Sequence, residues 1–153
     1  MSRGYAAVGL FNAKDKANVG GAMRAIGCYG ASLLVVSGGR FARSITDTMK
    51  QHRHTPVLEV DNLRNAIPFG AVPVAVELVD GARPLHAYTH PHSAFYIFGP
   101  EDGSISNEVR AWCRDTIYVP TQYCMNLAAT VNVVLYDRMA KSLRSEQTYR
   151  RAA

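Results

Sequence analysis

The chain has 153 residues, of which 48% are hydrophobic and 19% are charged, and its formal net charge is +5. This length suits one domain with a sizeable core, so we expect a single domain over residues 1–153. No apolar run reaches the roughly 20 residues that cross a bilayer, and the first residues lack a signal-peptide pattern. These features exclude a membrane-spanning protein and predict a cytoplasmic one whose three cysteines are reduced thiols, with Cys28 and Cys113 in the core.

Strand-like and helix-like segments alternate along the chain. Apolar runs predict strands at residues 5–10, 32–36, 57–60, 72–78, 94–98 and 116–119. Helical spacing of apolar residues predicts helices at residues 20–29, 61–67, 109–113 and 126–142. Asn18, Asp61 and Ser106 are candidate caps for helix starts, and Gly30 is typical of a helix end. The alternation predicts an α/β fold with a mostly parallel sheet flanked by helices.

The last predicted helix is apolar on more than one side. One face carries Leu127, Val131, Val134, Leu135 and Met139 at steps of three and four residues. Other positions of the same helix are apolar as well. Such a helix is either deeply buried or in contact with a partner subunit.

Short stretches that mix Gly or Pro with polar residues stand next to predicted strands. They are residues 18–24, residues 98–103 and residues 119–127. Ligand sites of open α/β sheets lie at the carboxyl ends of the strands. We therefore expect the three stretches to be parts of one ligand site.

Arg24, on the first predicted helix, has two interpretations. An arginine carries a permanent charge and a fixed fork of donors, and taken alone it is most often a surface or ion-paired residue. Its neighbours Asn18, Gly20 and Gly21 form a polar turn that favours contact with a phosphate or hydroxyl. The spacing matches neither a dinucleotide-binding loop nor a P-loop.

The other two stretches leave similar alternatives open. Residues 99–103 have the composition of a tight turn. Gly99 would also let a ligand approach the backbone closely, and Glu101 offers a carboxylate. Asn126 either caps the last helix or serves the site. Because no partner histidine lies near Cys124 in the sequence, a packing or backbone role is favoured for it over a nucleophilic one.

Basic residues crowd residues 40–53 and residues 141–151, which suits either RNA or a solvated surface. The candidate RNA contacts are Arg40, Arg43, Lys50 and Arg53. The five histidines lack the spacing of a zinc site, so no metal is predicted. RNA contact or simple surface exposure is favoured for them.

Together the three stretches resemble the motifs of the TrmH (SpoU) family of SPOUT methyltransferases. N-x-G-x-x-x-R occurs at residues 18–24, and F-G-P-E at residues 98–101. The third motif, I-P-x…S-x-N-L, is matched by Val119-Pro120 and Cys124-Met125-Asn126-Leu127. The size of the chain is similar to that of minimal, TrmL-like members, which lack a separate RNA-binding domain.

The resemblance implies a C-terminal trefoil knot, a homodimer, and S-adenosylmethionine-dependent methylation of ribose 2′-hydroxyls in RNA, with tRNA as the expected substrate. It assigns Arg24 to activation of that hydroxyl, in its own subunit or across the dimer. Other residues that it implies for the catalytic pocket are Asn18, Glu101 and Asn126. Residues that it implies for the cofactor site are Leu78, Gly99, Val119, Met125 and Leu127.

Two features depart from the family pattern. Cys124 stands where Ser is common, and cysteine is the weaker hydrogen-bond partner. The loop between Pro120 and Cys124 is short and lacks the arginine that often precedes the Ser. A catalytically weak or inactive RNA-binding protein of the same fold therefore remains an alternative, as does an α/β enzyme that binds a nucleotide cofactor for other chemistry.

Overall fold

A computed structural model describes residues 4–38 and 54–152. The strands are Tyr5–Phe11 (β1), Leu33–Ser37 (β2), Val57–Val60 (β3), Val72–Val76 (β4), Arg83–Pro84 (β5), Ser93–Phe98 (β6) and Asp115–Tyr118 (β7). The helices are Lys16–Tyr29 (α1), Asn107–Trp112 (α2) and Leu127–Ala152 (α3), and short 3-10 turns cover Leu63–Ala66 and Leu85–Ala87. Within these residues, one seven-stranded sheet has the order β3-β2-β1-β6-β4-β7-β5. All its strand pairs are parallel, which confirms the predicted sheet.

The central strands β1, β2, β4 and β6 are largely buried on both faces, which explains why they read as continuous apolar runs. Along β6, Tyr96 and Phe98 pack on the face covered by α1 and α3, whereas Phe95 and Ile97 pack on the face covered by α2. This alternation follows from the two-residue period of a strand. The prediction that helices flank the sheet on both sides is confirmed.

Several helix boundaries differ from those predicted. Helix α1 begins at Lys16, and its cap is Asp15, whose side chain accepts a hydrogen bond from the backbone N–H of Ala17 at 2.8 Å. The prediction of Asn18 as the cap is therefore wrong, because Asn18 lies inside the first turn. The end at Gly30 is confirmed by its left-handed conformation, with φ of 73°.

The segment after β3 is a 3-10 turn rather than the predicted helix. Its cap is Asn62, which accepts from the backbone N–H of Arg64 at 3.0 Å, so the choice of Asp61 is wrong. Ser106 caps α2 as predicted, by accepting from the backbone N–H of Val109. Helix α3 continues to Ala152, ten residues beyond the predicted end at 142.

Two cysteine assignments have different outcomes. Cys28 is exposed, so its predicted place in the core is wrong. Cys113 is half-buried, and its thiol donates to the carbonyl of Val109 at 3.3 Å.

Within the described residues, no helix has the length and apolar character needed to cross a membrane.

A polar network joins α3 to the amino ends of β1 and β6. The side chain of His90 is only 5% exposed; its Nδ1 lies 2.6 Å from the hydroxyl of Tyr96, and its Nε2 lies 2.8 Å from a carboxylate oxygen of Asp137. The same carboxylate pairs with Lys141 at 2.7 Å. The expectation that this histidine lies at the surface is therefore wrong, because its ring fills a polar site beneath α3.

Two cations of α3 complete the attachment. The guanidinium of Arg138 donates to the carbonyls of Pro91 and His92, both at 2.6 Å, and to that of Tyr5 at 3.3 Å. Lys141 donates to the carbonyls of Leu85 and Tyr88, at 2.7 and 2.8 Å. These bonds tie α3 to the segment between β5 and β6 and to the start of β1.

The buried state of His90 predicts a loss of stability in acid. Burial lowers the pKa of His90 below its usual 6.5 and outweighs the raising effect of Asp137. The unfolded chain therefore takes up a proton that the folded chain resists, so the free energy of unfolding falls as pH drops below about 6.5. We expect His90→Gln to flatten this dependence in urea unfolding measured from about pH 8 to about pH 5. The exposed His86→Gln is the control, and equal flattening in both variants would contradict the assignment.

Candidate active site

A cavity of about 1050 Å³ lies at the carboxyl edge of the sheet. Its walls come from the segments that follow β1, β4, β6 and β7, which are neighbours in the sheet, and from the start of α3. Parallel strands direct these segments to one edge, as the strand order requires. Parts of the three motif stretches meet in this cavity.

The structure places most of the predicted site residues around the cavity. The cofactor candidates that line it are Leu78, Gly99, Val119, Met125 and Leu127. Asn18, Glu101 and Asn126 line it as well, whereas Arg24 does not. Arg24 is exposed on α1, six residues beyond Asn18. The candidate RNA contacts Arg40, Arg43, Lys50 and Arg53 lie outside the described residues.

Glu101 joins the loop after β6 to the start of α1. Its carboxylate accepts hydrogen bonds from the backbone N–H groups of Lys14 at 2.8 Å and Asp15 at 3.2 Å. It also accepts from the side-chain amide of Asn18 at 2.9 Å. The first and second motifs are therefore connected directly, and the connection fixes the β1–α1 loop at the cavity mouth.

These contacts also set the charge state of Glu101. Partial burial pushes the pKa of this carboxyl upward, but the hydrogen bonds from Lys14, Asn18 and Asp15 together outweigh it and hold the pKa below 4.5. The ionised form is therefore favoured in the folded chain. Its contribution to stability is complete above the ordinary pKa and is lost as pH falls through the lowered value.

Gly99 has a packing role in addition to its place in the cavity wall. A Cβ at this position would lie 3.2 Å from a side-chain carbon of Ile105 and 3.3 Å from a carboxylate oxygen of Glu77. Glu77 in turn accepts from the backbone N–H of Ile105 at 2.9 Å. The absence of a side chain at Gly99 thus lets residues 99–105 fold back on the end of β4.

Asn126 both caps a helix and borders the cavity. Its side-chain oxygen accepts from the backbone N–H of Ala129 at 2.7 Å, and its carbonyl accepts from the backbone N–H of Thr130. The amide nitrogen of the side chain is not needed for the cap, so it can serve a ligand. The two interpretations of this residue are therefore compatible.

The chain matches the SpoU rRNA Methylase family over residues 5–136. It belongs to this family. The match runs from the start of β1 to Tyr136 in α3, and it includes every stretch that forms the cavity. No curated protein matches the chain.

Several solved structures share the fold. The A. aeolicus TrmH/SpoU tRNA modifying enzyme matches with a TM-score of 0.80 and 17% identity, over 92% of this chain and 77% of that one. A structure solved for the 2-OH methylation of C/U34 on tRNA matches with a TM-score of 0.77 and 21% identity, over 94% of this chain and 99% of that one. The methyltransferase AviRb from Streptomyces viridochromogenes matches with a TM-score of 0.76 and 19% identity, over 92% of this chain and 61% of that one. AviRb has also been solved in complex with the cofactor AdoMet.

This SpoU-family chain carries charged residues at the cavity that the sequence interpretation missed. Lys14, Asp15 and Lys16 border it directly after β1, and Glu77 borders it at the end of β4. Lys14 pairs with Asp102 across the mouth at 3.6 Å, where both side chains are well exposed. The available signal was their position, because each is a charged residue within five residues of the end of a buried apolar strand.

Proposed function

We propose that this chain is an S-adenosylmethionine-dependent methyltransferase that acts on a ribose 2′-hydroxyl of RNA, with tRNA as the expected substrate. One observation carries the proposal, namely that parts of the three family motifs meet at a single cavity at the carboxyl edge of the sheet. Membership of a family of RNA methylases supports the same class of reaction.

The cavity lining fits the proposed cofactor. Leu78, Val119 and Leu127 provide apolar surface that would hold an adenine ring. The carboxylates of Glu77 and Asp102 border the same cavity and would attract the positive charge of the cofactor. Its volume of about 1050 Å³ is at the upper end of ordinary ligand pockets, which leaves room for a nucleotide beside the cofactor.

When bound, S-adenosylmethionine supplies a methyl group that its sulfonium charge already activates, so the protein need not form a covalent intermediate. The chain must position the 2′-oxygen and assist loss of its proton. Glu101 is a poor proton acceptor, because three hydrogen bonds occupy its carboxylate and its pKa is lowered. We therefore assign Glu101 to positioning the β1–α1 loop.

We assign Arg24 the role of stabilising the negative charge that develops on the 2′-oxygen. A guanidinium has no lone pair to accept a proton, so its contribution is donation of hydrogen bonds while the proton passes to an RNA phosphate or to water. Such donors act most strongly in a site from which water is excluded.

Because Arg24 does not line the cavity of its own chain, we propose that it enters the cavity of a second copy. Helices α1 and α3 pack closely at Gly21, where a methyl group would overlap the side chain of Ala128. Helix α3 also exposes Val133 and Tyr136, which are 37% and 55% accessible. A homodimer would bury this apolar surface and place Arg24 at the interface.

We also propose that the chain between β6 and α3 forms the trefoil knot that the family resemblance implies. The knot would hold residues 99–103 and 119–127 in fixed positions around the cofactor.

Replacement of Glu101 by glutamine tests the positioning role. The variant keeps the size of the side chain but removes its charge and one of its accepting oxygens. We expect methyl transfer to fall by about tenfold, because a loosened loop misplaces the reacting groups. The control is Glu108→Gln, which makes the same change at an exposed residue away from the cavity. Equal rates in the two variants would show that the Glu101 contacts do not matter for the reaction.

Calorimetry distinguishes the proposed activity from the alternatives. The protein should bind S-adenosylmethionine and should not bind NAD. Binding of NAD alone would favour unrelated nucleotide chemistry. A protein that binds RNA but has no affinity for S-adenosylmethionine would be a catalytically inactive member of the family, and either outcome would overturn the proposal.

A further inference from the structure

The last part of α3 extends beyond the sheet. The network around His90 and Arg138 fixes the helix at the amino edge of β1 and β6. From there the helix continues to Ala152, which is roughly 20 Å at 1.5 Å per residue. Residues 143–152 are all exposed except the half-buried Glu146. We call residues 143–152 the C-terminal arm.

Little tertiary packing supports this arm. Its internal contacts include hydroxyl bonds back to the preceding turn, from Ser145 to the carbonyl of Lys141 and from Thr148 to that of Arg144. Bonds of this kind do not stabilise a helix, and isolated helices of this length are marginal in water. A surface that binds the arm would therefore stabilise it as well.

The chemistry of the arm favours a polyanion. Arg144, Arg150 and Arg151 are exposed, and Glu146 is the one acidic residue within the arm. Tyr149, next to the paired arginines, is 65% exposed. Cations interleaved with an exposed aromatic ring are typical of surfaces that contact nucleic acid. A second copy of the chain is disfavoured, because two such arms would repel each other.

The root of the arm borders a second cavity. It has a volume of about 560 Å³ and is lined by Arg144 together with His86 and His92. Donors of Arg138 and Lys141 in the same cavity are bound to loop carbonyls and to Asp137. The exposed side chains of Arg144, His86 and His92 can therefore donate to a phosphate, although Glu146 also lines this cavity.

We propose that the C-terminal arm is an RNA-contact surface that holds the phosphate backbone of the substrate far from the reacting nucleotide, an inference that rests on the proposed function. Leu127 lines the cofactor cavity, and Arg150 lies further along the same helix, at roughly 35 Å from it. The RNA would thus be bound at two separate places on each chain.

The test compares two triple variants that lower the net charge equally. The arm variant is Arg144→Gln, Arg150→Gln and Arg151→Gln. The control variant is Arg64→Gln, Arg83→Gln and Arg114→Gln, which neutralises exposed arginines outside the arm. The affinity for fluorescent bulk tRNA is measured over a range of salt concentrations without S-adenosylmethionine. Circular dichroism checks the fold of each variant, and light scattering checks its assembly. Calorimetry with S-adenosylmethionine checks that the cavity is intact.

The arm variant is expected to bind tRNA about tenfold more weakly or worse, with a shallower salt dependence, while the control variant changes little. S-adenosylmethionine should bind both variants as it binds the wild type. Unchanged tRNA affinity of the arm variant, equal losses in both variants, or dissociation of an oligomer by the arm variant alone would each overturn the inference. Wild-type protein that binds tRNA through the arm but transfers no methyl group would instead overturn the proposed function alone.

Discussion

Arg24→Ala is expected to lower the rate of methyl transfer by about 10²-fold or more, which is the loss typical when a donor to developing charge is removed. The affinity for S-adenosylmethionine should stay within about twofold, because Arg24 does not line the cavity that would hold it. Single-turnover assays give the rate, and calorimetry gives the affinity. Arg64→Ala, at another exposed arginine, is the control. Unchanged turnover of Arg24→Ala would show that the role is misassigned.

Subunit mixing then decides which cavity Arg24 serves. The Arg24→Ala chain keeps an intact cavity, and a Gly99→Val chain keeps Arg24 but has a side chain pressed against Ile105 and Glu77. If Arg24 acts across the dimer, each mixed dimer contains one complete site, and random mixing restores about a quarter of the wild-type activity. If it acts within its own chain, mixing restores nothing. A monomer by light scattering at micromolar concentration would contradict the arrangement altogether.

Arg138→Ala is expected to lower the free energy of unfolding by about 2–4 kcal/mol. The substitution removes donors to the carbonyls of Tyr5, Pro91 and His92 and leaves these polar groups without that partner. Urea unfolding monitored by circular dichroism measures the change. Arg144→Ala, an exposed arginine on the same helix, should change stability by no more than about 0.5 kcal/mol. Equal unfolding midpoints for the two variants would show that the network does not fix α3.

Local sequence patterns predicted six of the seven described strands and the edge of the sheet at which the site lies. Each buried strand is a short apolar run, and the motif stretches are next to these runs, so their meeting follows from the parallel order. The end of α1 was equally predictable, because glycine adopts the left-handed conformation found at Gly30 more readily than any other residue.

The start of α1 and the end of α3 were not predictable in the same way. Both Asp15 and Asn18 are good capping residues, and the polar turn between them carries no apolar signal that would choose one. Residues 143–152 face solvent and lack an apolar stripe, so the length of α3 reflects good helix formers such as Arg and Ala rather than packing.

Long-range partners account for the remaining differences. The burial of His90 depends on Asp137, and the contacts of Glu101 depend on the β1–α1 loop, both far away in the sequence. The two-residue strand β5 depends on its pairing with β7 and has no pattern of its own. Such features arise only when the sheet assembles.

The chemical identity of the methylated nucleoside tests the proposed activity most directly. RNA from a strain that lacks this chain is incubated with the protein and with S-adenosylmethionine whose methyl group carries an isotopic label. The RNA is then digested, and its nucleosides are identified by mass spectrometry. We expect labelled 2′-O-methylribose in tRNA. Label on a base, or no label in any RNA, would contradict the proposed activity.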